Sequence, residues 1–280
     1  MDKAVLVTGA NSGIGLATCV RLARDGWRVI GSTRSAEKAE ALHAAGREAG
    51  VTLESVLLEV DDPDSIASAF DEVAILTKGE GLHAVVNNAG YTQFGAVEDV
   101  GWRDAAAQLA TNVLGPIEVA RAAMPAMRKR GDGRIVNVSS VGGRVSALPF
   151  NGWYHASKFA LEAVSDVLRI EVGNAGIKVI LIEPGVVRTG FVDEMQRRAT
   201  PYVGTGSPHE AAYRRTLSVA GVADRVGIPP EWVAWVIAFA LRTGSPLPRY
   251  LVGPDAWALV AMNAVVPTQV RDALIRLALR

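Results

Sequence analysis

Short apolar runs alternate along this chain with longer stretches in which apolar residues recur every three or four positions. The short runs predict buried strands, and the longer period predicts helices. The first run, Ala4-Val5-Leu6-Val7, leads through a glycine-rich segment into a helix over Leu16 to Arg24. Further strands are predicted over 28–32, 53–60, 84–87, 134–139, 178–183 and 249–253. Helices are predicted over 36–49, 64–76, 153–173, 232–242 and 266–280. Trp102 to Arg130 is long enough for one extended helix or two, with Gly115-Pro116 as an irregularity. Alternation with helix-length crossovers predicts a parallel sheet covered on both faces, a doubly wound α/β fold in one domain. In such sheets a ligand sits beyond the C-terminal strand ends. Gly9, Arg34, Asn88, Ser140 and Pro184 fall there, from five different strands.

The pattern breaks after Thr189. Phe191 to Arg225 is polar, Arg-rich and interrupted by Pro201, Gly204, Gly206 and Pro208. An insertion this long predicts a lid over the ligand, taken here as 190–228. Phe191 and Met195, with Val145, Leu148, Phe150 and Trp153, either wall a pocket for a bulky lipophilic compound or belong to the core. Residues 254–280 form a C-terminal extension whose last helix carries Val270, Leu274 and Leu277 to Leu279 on one face. That face would pack on its own domain, meet another copy, or touch a membrane surface.

Composition narrows the class. With 49% apolar and 21% charged residues, the 280-residue chain has the make-up of an ordinary soluble globule. A formal net charge of zero gives no electrostatic case for nucleic acid or an anionic membrane. The single Cys19 excludes an internal disulfide, and on the first helix it reads as a small packed hydrophobe. No metal-ligand cluster stands out, and no apolar run reaches the roughly 20 residues of a membrane span. Met1-Asp2-Lys3 leads straight into a core strand, so no signal peptide is expected and the cytoplasm is the default location.

Two segments carry chemistry. Thr8-Gly9-Ala10-Asn11-Ser12-Gly13-Ile14-Gly15 joins a strand to a helix start, the geometry that holds a pyrophosphate on free backbone N–H groups. Tyr154 and Lys158 stand four apart on a predicted helix, hence on one face. An ammonium beside a phenol favours the phenolate, so the pair predicts a proton donor usable near neutral pH.

Taken together the motifs resemble those of short-chain dehydrogenases/reductases. They are Thr8-Gly9-x-x-x-Gly13-x-Gly15, Asn87-Asn88-Ala89-Gly90, Asn112, Ser140, Tyr154-x-x-x-Lys158 and Pro184-Gly185, in that family's order. The segment from Gly143 to Lys158 further resembles hydroxysteroid and retinol dehydrogenases. The resemblance implies a Rossmann-type fold and hydride transfer between a nicotinamide cofactor and a carbonyl or its alcohol. By resemblance, Tyr154 is the general acid/base, and Lys158 lowers its pKa and bonds the nicotinamide ribose. Ser140, with Ser139 as competitor, orients the substrate oxygen, and Asn112 holds a water that links Lys158 to solvent. The interval from Ser140 to Tyr154 is one residue longer than in related sequences.

The cofactor contacts expected from the resemblance are Gly9, Asn11, Ser12, Gly13, Ile14 and Gly15 at the pyrophosphate and Asn88, Ala89 and Gly90 at the adenosine ribose. Asn88 could equally tie two strands together. Glu59 and Val60 read the adenine, with Asp61 as an alternative acid. Pro184, Gly185, Val187 and Thr189 grip the nicotinamide, with Tyr154 and Lys158 beside it. The second strand ends Ser32-Thr33-Arg34 with no carboxylate, which favours the 2′-phosphate of NADP(H) over NAD(H). The expected substrate is a small-molecule ketone or aldehyde of lipophilic character, and the expected assembly a homodimer or homotetramer. Alternatives are a 3-oxoacyl thioester reductase, for which Arg197, Arg198, Arg214 and Arg215 would receive an acidic carrier, and a cofactor-binding regulator or scaffold without catalysis.

Overall fold

The computed structural model describes residues 3–146, 148–203 and 206–279. Met1, Asp2, Gly204, Arg280 and the side chain of Phe191, all used above, lie outside the described residues. Seven strands lie parallel in one sheet: β1 (Ala4–Val7), β2 (Arg28–Thr33), β3 (Glu54–Leu57), β4 (Ala84–Asn87), β5 (Gly133–Val138), β6 (Ile177–Pro184) and β7 (Arg249–Val252). Their order is β3-β2-β1-β4-β5-β6-β7. The order reverses between β1 and β4, and the crevice outside that reversal is where an open α/β sheet binds its ligand.

The period-2 alternation of each strand divides the core into two layers. Val5 and Val7 face one side, with Cys19 and Leu22 of α1 (Gly13–Arg24) and Leu42 of α2 (Ala36–Glu48). Val233, Ile237 and Leu241 of α9 (Pro230–Arg242) complete that layer. Ala4 and Leu6 face the other side, with Ile66 and Val73 of α3 (Pro63–Leu76). Val119 and Met127 of α5 (Gly115–Arg130) and Val172 of α6 (Gly152–Gly173) close it. Each buried Leu, Ile or Val contributes about 1.5–3 kcal/mol, so the two layers fix the sheet that carries the site. Burial pushes the Cys19 thiol far up, which makes it the inert packed residue expected.

Several boundaries differ from expectation. The third strand ends at Leu57 because the Ser65 hydroxyl takes the Glu59 N–H at 2.9 Å, turning the chain out of the sheet. The 102–130 stretch is two helices, α4 (Trp102–Leu109) and α5, joined by one π-helical turn over Ala110–Leu114. The irregularity thus precedes Gly115-Pro116, and Pro116, which lacks an N–H to bond back into the preceding turn, sits in the first turn of α5.

The lid is more ordered than its polar sequence suggests. It forms α7 (Phe191–Ala199) and α8 (Glu210–Val226), which bury Met195, Ala199 and Tyr213 against Phe94 and Phe150 as a third, smaller core. An unexpected helix, α10 (Pro254–Val265), precedes α11 (Thr268–Leu279). Its nearly unbroken run of small and apolar residues offers no helical period to read. The apolar face expected on the last helix is not packed: Leu274 is 60% exposed. Ile275 instead borders a shallow apolar hollow with Phe159 of α6.

Candidate active site

The pyrophosphate cradle is built by backbone. Gly9 takes φ 64°, a left-handed conformation that glycine adopts without steric cost. A Cβ on Gly15 would stand 2.1 Å from the Gly9 carbonyl oxygen, so the turn closes only with glycine there. Ser12 caps α1 with extended backbone but makes no side-chain cap bond, and the first turn holds no acidic residue. The leading N–H groups, Gly13 and Ile14 among them, therefore point to the crevice with the positive end of the helix dipole, a ready anion site. Asn11 lies in the same loop, between β1 and α1.

Asn88 takes the structural role. Its Nδ2 donates to the Thr8 and Gly9 carbonyls at 3.0 and 3.2 Å, and the Thr8 hydroxyl accepts the Asn88 and Ala89 N–H groups at 3.0 Å each. This lacing locks the β1 and β4 ends together across the reversal of strand order. Gly90 lies next to Asn112 Oδ1 and Lys158 Nζ, which brings the β4 end up to α6.

At the end of β2, Arg34 is exposed and makes no side-chain hydrogen bond or ion pair among the described residues. The neighbouring Ser32 and Thr33 hydroxyls do not reach solvent to act as further donors. Ser32 and Thr33 are buried, and Thr33 donates its hydroxyl to the Ser35 carbonyl at 3.1 Å. Ser35 caps α2 through Lys38 N–H, leaving Arg34 as the cation at this edge. At the adenine end Val60 is buried and Glu59 is exposed, while Asp61 accepts the Thr111 hydroxyl at 2.9 Å and is committed to it.

The catalytic candidates converge from three elements. Ser140 follows β5 and caps a short 3-10 turn by accepting Gly142 N–H at 3.0 Å. Its hydroxyl also hydrogen-bonds the Tyr154 phenol. Ser139 is no competitor, because its hydroxyl faces the opposite way, toward Gly143 and Glu162. Lys158, 6% exposed, donates Nζ to the Val138 carbonyl at 2.9 Å and stands 5.8 Å from the Tyr154 ring centre. Burial lowers its pKa to about 8, against which the Glu162 carboxylate pulls upward.

One expectation is corrected here. Burial pushes the Tyr154 phenol up rather than down, and the Ser140 hydrogen bond only partly opposes it. The ammonium is spent on a carbonyl instead of the phenol oxygen.

Asn112 lies in the π-helical turn, 1% exposed, where such turns commonly mark functional positions. Its Nδ2 donates to the Tyr91 carbonyl at 2.9 Å and the Ser157 hydroxyl at 3.0 Å, and Oδ1 accepts Tyr91 N–H at 3.1 Å. Both amide hydrogens are thus held by protein, leaving one Oδ1 lone pair for a water.

Pro184 and Gly185 close the site at the end of β6. A Cβ on Gly185 would meet the Asp255 carboxylate at 2.1 Å, and Asp255 accepts Val186 N–H at 2.7 Å. No motif marked Asp255 in the sequence, since it belongs to the helix without a readable period. Val187 bridges to Ile228 through Ile228 N–H to the Val186 carbonyl and Arg188 N–H to the Ile228 carbonyl, each 2.9 Å. The Val187 amide therefore points the other way, away from Ile228. Thr189 packs on the glycine loop, where a Gly13 Cβ would lie 3.1 Å from its methyl group.

The expected lipophilic wall does not hold together. Val145 and Met195 are buried, whereas Leu148 and Phe150 border the hollow near Ile275, which lacks Ser140, Tyr154 and Lys158. The loop ahead of Tyr154 turns through Phe150 at φ 64°, costly for a bulky residue. Gly95 N–H to the Phe150 carbonyl at 2.8 Å and edge contact of its ring with Phe94 and Tyr213 hold it there.

Residues 3–200 match the family model described as short chain dehydrogenase. The chain belongs to the short-chain dehydrogenase/reductase family. It is 34% identical over 276 residues to the uncharacterized oxidoreductase YbbO of Escherichia coli, covering 99% of this chain and 95% of that one. It is 35% identical to retinol dehydrogenase 16 of Mus musculus, covering 98% and 88%. Among solved structures, a short-chain dehydrogenase/reductase of Burkholderia phymatum in complex with NAD superposes with TM-score 0.81 at 25% identity, covering 94% of this chain and 93% of that one. An actinorhodin polyketide ketoreductase variant with NADPH gives 0.72 at 27%, covering 93% and 94%. The protein is thus an oxidoreductase of this family with a Rossmann-like sheet, and its solved neighbours carry nicotinamide cofactors of both kinds.

Proposed function

We propose that the protein interconverts a lipophilic ketone or aldehyde and its alcohol with NADP(H), using Tyr154 as general acid/base. The observation that carries this reading is the convergence of the Ser140 and Tyr154 hydroxyls, hydrogen-bonded to each other, over a buried Lys158. When bound, the nicotinamide supplies or accepts the hydride. Ser140 donates to the substrate oxygen and polarises it, and Tyr154 delivers its phenolic proton to that oxygen as negative charge develops. Burial keeps the phenol protonated in the resting protein, which suits a donor. Lys158 stabilises the phenolate that remains, and Asn112 orders the backbone at Tyr91, which follows the Gly90 that lies beside Lys158 Nζ.

The cofactor would lie along Gly9, Asn11, Ser12, Gly13, Ile14 and Gly15, with Glu59 and Val60 at the adenine and Asn88, Ala89 and Gly90 beside the ribose. Pro184, Gly185, Val187 and Thr189 would hold the nicotinamide. Arg34, exposed and unpaired among the described residues at the end of a strand that offers no carboxylate, supports NADP(H) over NAD(H). The solved neighbours do not decide between the two.

A lipophilic substrate is favoured over an acyl thioester on a carrier because three of the four lid arginines, all but Arg215, are already paired. Arg197 and Arg198 bond Glu194 at 2.6 and 2.9 Å, and Arg214 bonds Glu210 at 2.8 Å. The likeness to retinol dehydrogenase 16 supports the same choice. Exposed Trp102 on α4 with Val167 and Ile170 on α6 support a homodimer through these helices, to be read by light scattering.

The test is oxidation of NADPH, and separately NADH, against oxo-steroids, retinal, aromatic ketones and an acetoacetyl thioester, with Tyr154→Phe alongside. NADPH-dependent turnover of a lipophilic carbonyl that vanishes in the variant is expected. Equal rates in the variant would remove Tyr154 from its role, and preference for NADH would remove the Arg34 argument.

A further inference from the structure

Beneath the reacting groups lies a second titratable cluster that the chemistry above does not use. Glu162 sits one turn beyond Lys158 on α6, its side chain 7% exposed, and Glu183, at the end of β6, is fully buried. A single atom joins them: Arg249 Nε, from β7, lies 3.1 Å from Glu162 Oε2 and 3.2 Å from Glu183 Oε1. Arg144, just past the 3-10 turn after Ser140, holds Glu183 at 3.1 Å. Asp166, a further turn along α6, pairs with Arg249 and with Arg169. Three carboxyls and Lys158 therefore share one cluster with three arginines, Arg144, Arg169 and Arg249, and its two glutamates are buried.

The second Glu162 oxygen, Oε1, and the Ser139 hydroxyl are both buried without a hydrogen-bond partner among the described residues, and the two side chains meet beside Gly143, where the hydroxyl lowers the Glu162 pKa. One hydrogen between the two satisfies both, and either group can supply it: the hydroxyl when Glu162 is ionised, the carboxyl when it is protonated.

We propose that Glu162 is a positioning residue whose carboxyl, by exchanging a proton with solvent, sets how firmly Lys158 and the Ser139–Ser140 segment are held beneath the reaction site. Ionised Glu162 holds Lys158 as an ammonium. Protonated Glu162 withdraws that support and donates to Ser139, next to the residue that orients the substrate oxygen. Burial and the neighbouring Glu183 carboxylate raise the Glu162 pKa to about 7, while Ser139 and Arg249 oppose them, so both forms are populated at neutral pH. The site thereby senses pH through a residue that touches neither substrate nor cofactor.

This rests on the catalytic roles proposed above, so the experiment pairs a readout that needs turnover with one that does not. Protein labelled with carbon-13 at the glutamate carboxyls is titrated by NMR, beside Glu162→Gln and Glu183→Gln. One resonance titrating near pH 7 is expected, absent in E162Q and moved toward the ordinary carboxylate range in E183Q. All glutamates titrating below pH 5.5, or a neutral resonance unmoved in E183Q, would overturn the proposal whether or not a substrate is known. In the pH profile of kcat/KM with NADPH, E162Q is expected to shift the alkaline limb down by about one unit. Its loss would then be several-fold larger at pH 8.5 than at pH 6. A loss equal at every pH would mark a merely structural residue and overturn the role. If Tyr154→Phe leaves turnover intact while the neutral resonance is found, the catalytic reading fails and the proton-holding cluster stands.

Discussion

The crevice between β1 and β4 and the lid over residues 191–226 are held together in opposite ways. The crevice is made of backbone: glycines without room for a Cβ, a helix with uncapped N–H groups, and Asn88 lacing two strands through their carbonyls. The lid is made of side chains: Tyr213 and Met195 buried on Phe94, Arg198 laid 3.9 Å over the Tyr91 ring, and Tyr202 bonded to Asp104 and Gln93. A backbone site admits almost no substitution and serves a ligand shared across a family. A side-chain site can be rebuilt residue by residue, which is how one scaffold accepts many substrates.

The largest effect should come from the reacting group alone. Tyr154→Phe keeps the ring and the packing but removes the proton, so kcat should fall about 10³-fold. Binding of NADPH, read by fluorescence titration, should stay within a factor of two to three. If the cofactor also fails to bind, the crevice is less independent of the catalytic helix than its hydrogen bonds suggest.

Arg34→Ala sharpens the comparison from the other end. Loss of a charge-assisted phosphate contact of about 2 kcal/mol should weaken NADPH about 30-fold and leave NADH unchanged. Equal weakening of both cofactors would mean that Arg34 supports the loop and reads no phosphate.

Next in size is a pH effect. Lys158 has its pKa lowered to about 8 by burial, below its usual range, so the folded protein gives up this proton where an unfolded chain keeps it. Activity that needs the ammonium should therefore decline above about pH 8, approaching tenfold per unit, where an unperturbed lysine would hold to above 10. The sign for stability is the reverse. Between about 8 and 10 the unfolded chain binds more protons at this group, so its contribution to stability rises with pH. A pH–rate profile set beside melts over the same range would separate the two.

The crevice was legible because its chemistry forces residue identity onto fixed spacing. Gly9, Gly13 and Gly15, or Tyr154 and Lys158, cannot be exchanged without losing the turn or the shared helix face. Order and spacing singled out Ser140 and Tyr154, and the fold brings their hydroxyls into one hydrogen bond. What escaped were contacts set by packing between distant segments. Asp255 behind Gly185 and Arg249 between Glu162 and Glu183 are ordinary charged residues in sequence, and only the closeness of β6 and β7 makes them part of the site. The pKa of Tyr154 was misjudged for the same reason. Spacing puts Lys158 near the ring, but the Val138 carbonyl, brought in by β5, takes the ammonium. The lid helices were hidden by a composition that looks like a loop, since their burial falls on few positions.

The smallest effect tests whether the lid is as separable as its construction implies. Tyr213 is fully buried, and its hydroxyl donates to Asp99 and accepts the Ala96 N–H at 2.9 Å, while Asp99 also accepts the Ser207 hydroxyl. These bonds hold α8 against the segment that follows Gly90. Tyr213→Phe keeps the ring contacts with Phe94 and Phe150 but leaves the Ala96 N–H buried without a partner, costing about 1–3 kcal/mol. The cost falls on the lid, so hydrogen exchange should accelerate at 96–99 and through α8 while amides of β1 and β4 keep their protection. KM for the carbonyl should rise several-fold with the NADPH dissociation constant unchanged. Faster exchange in β1 and β4 as well would show that lid and crevice open as one unit, and the contrast between them would then be one of construction only, without a difference in stability.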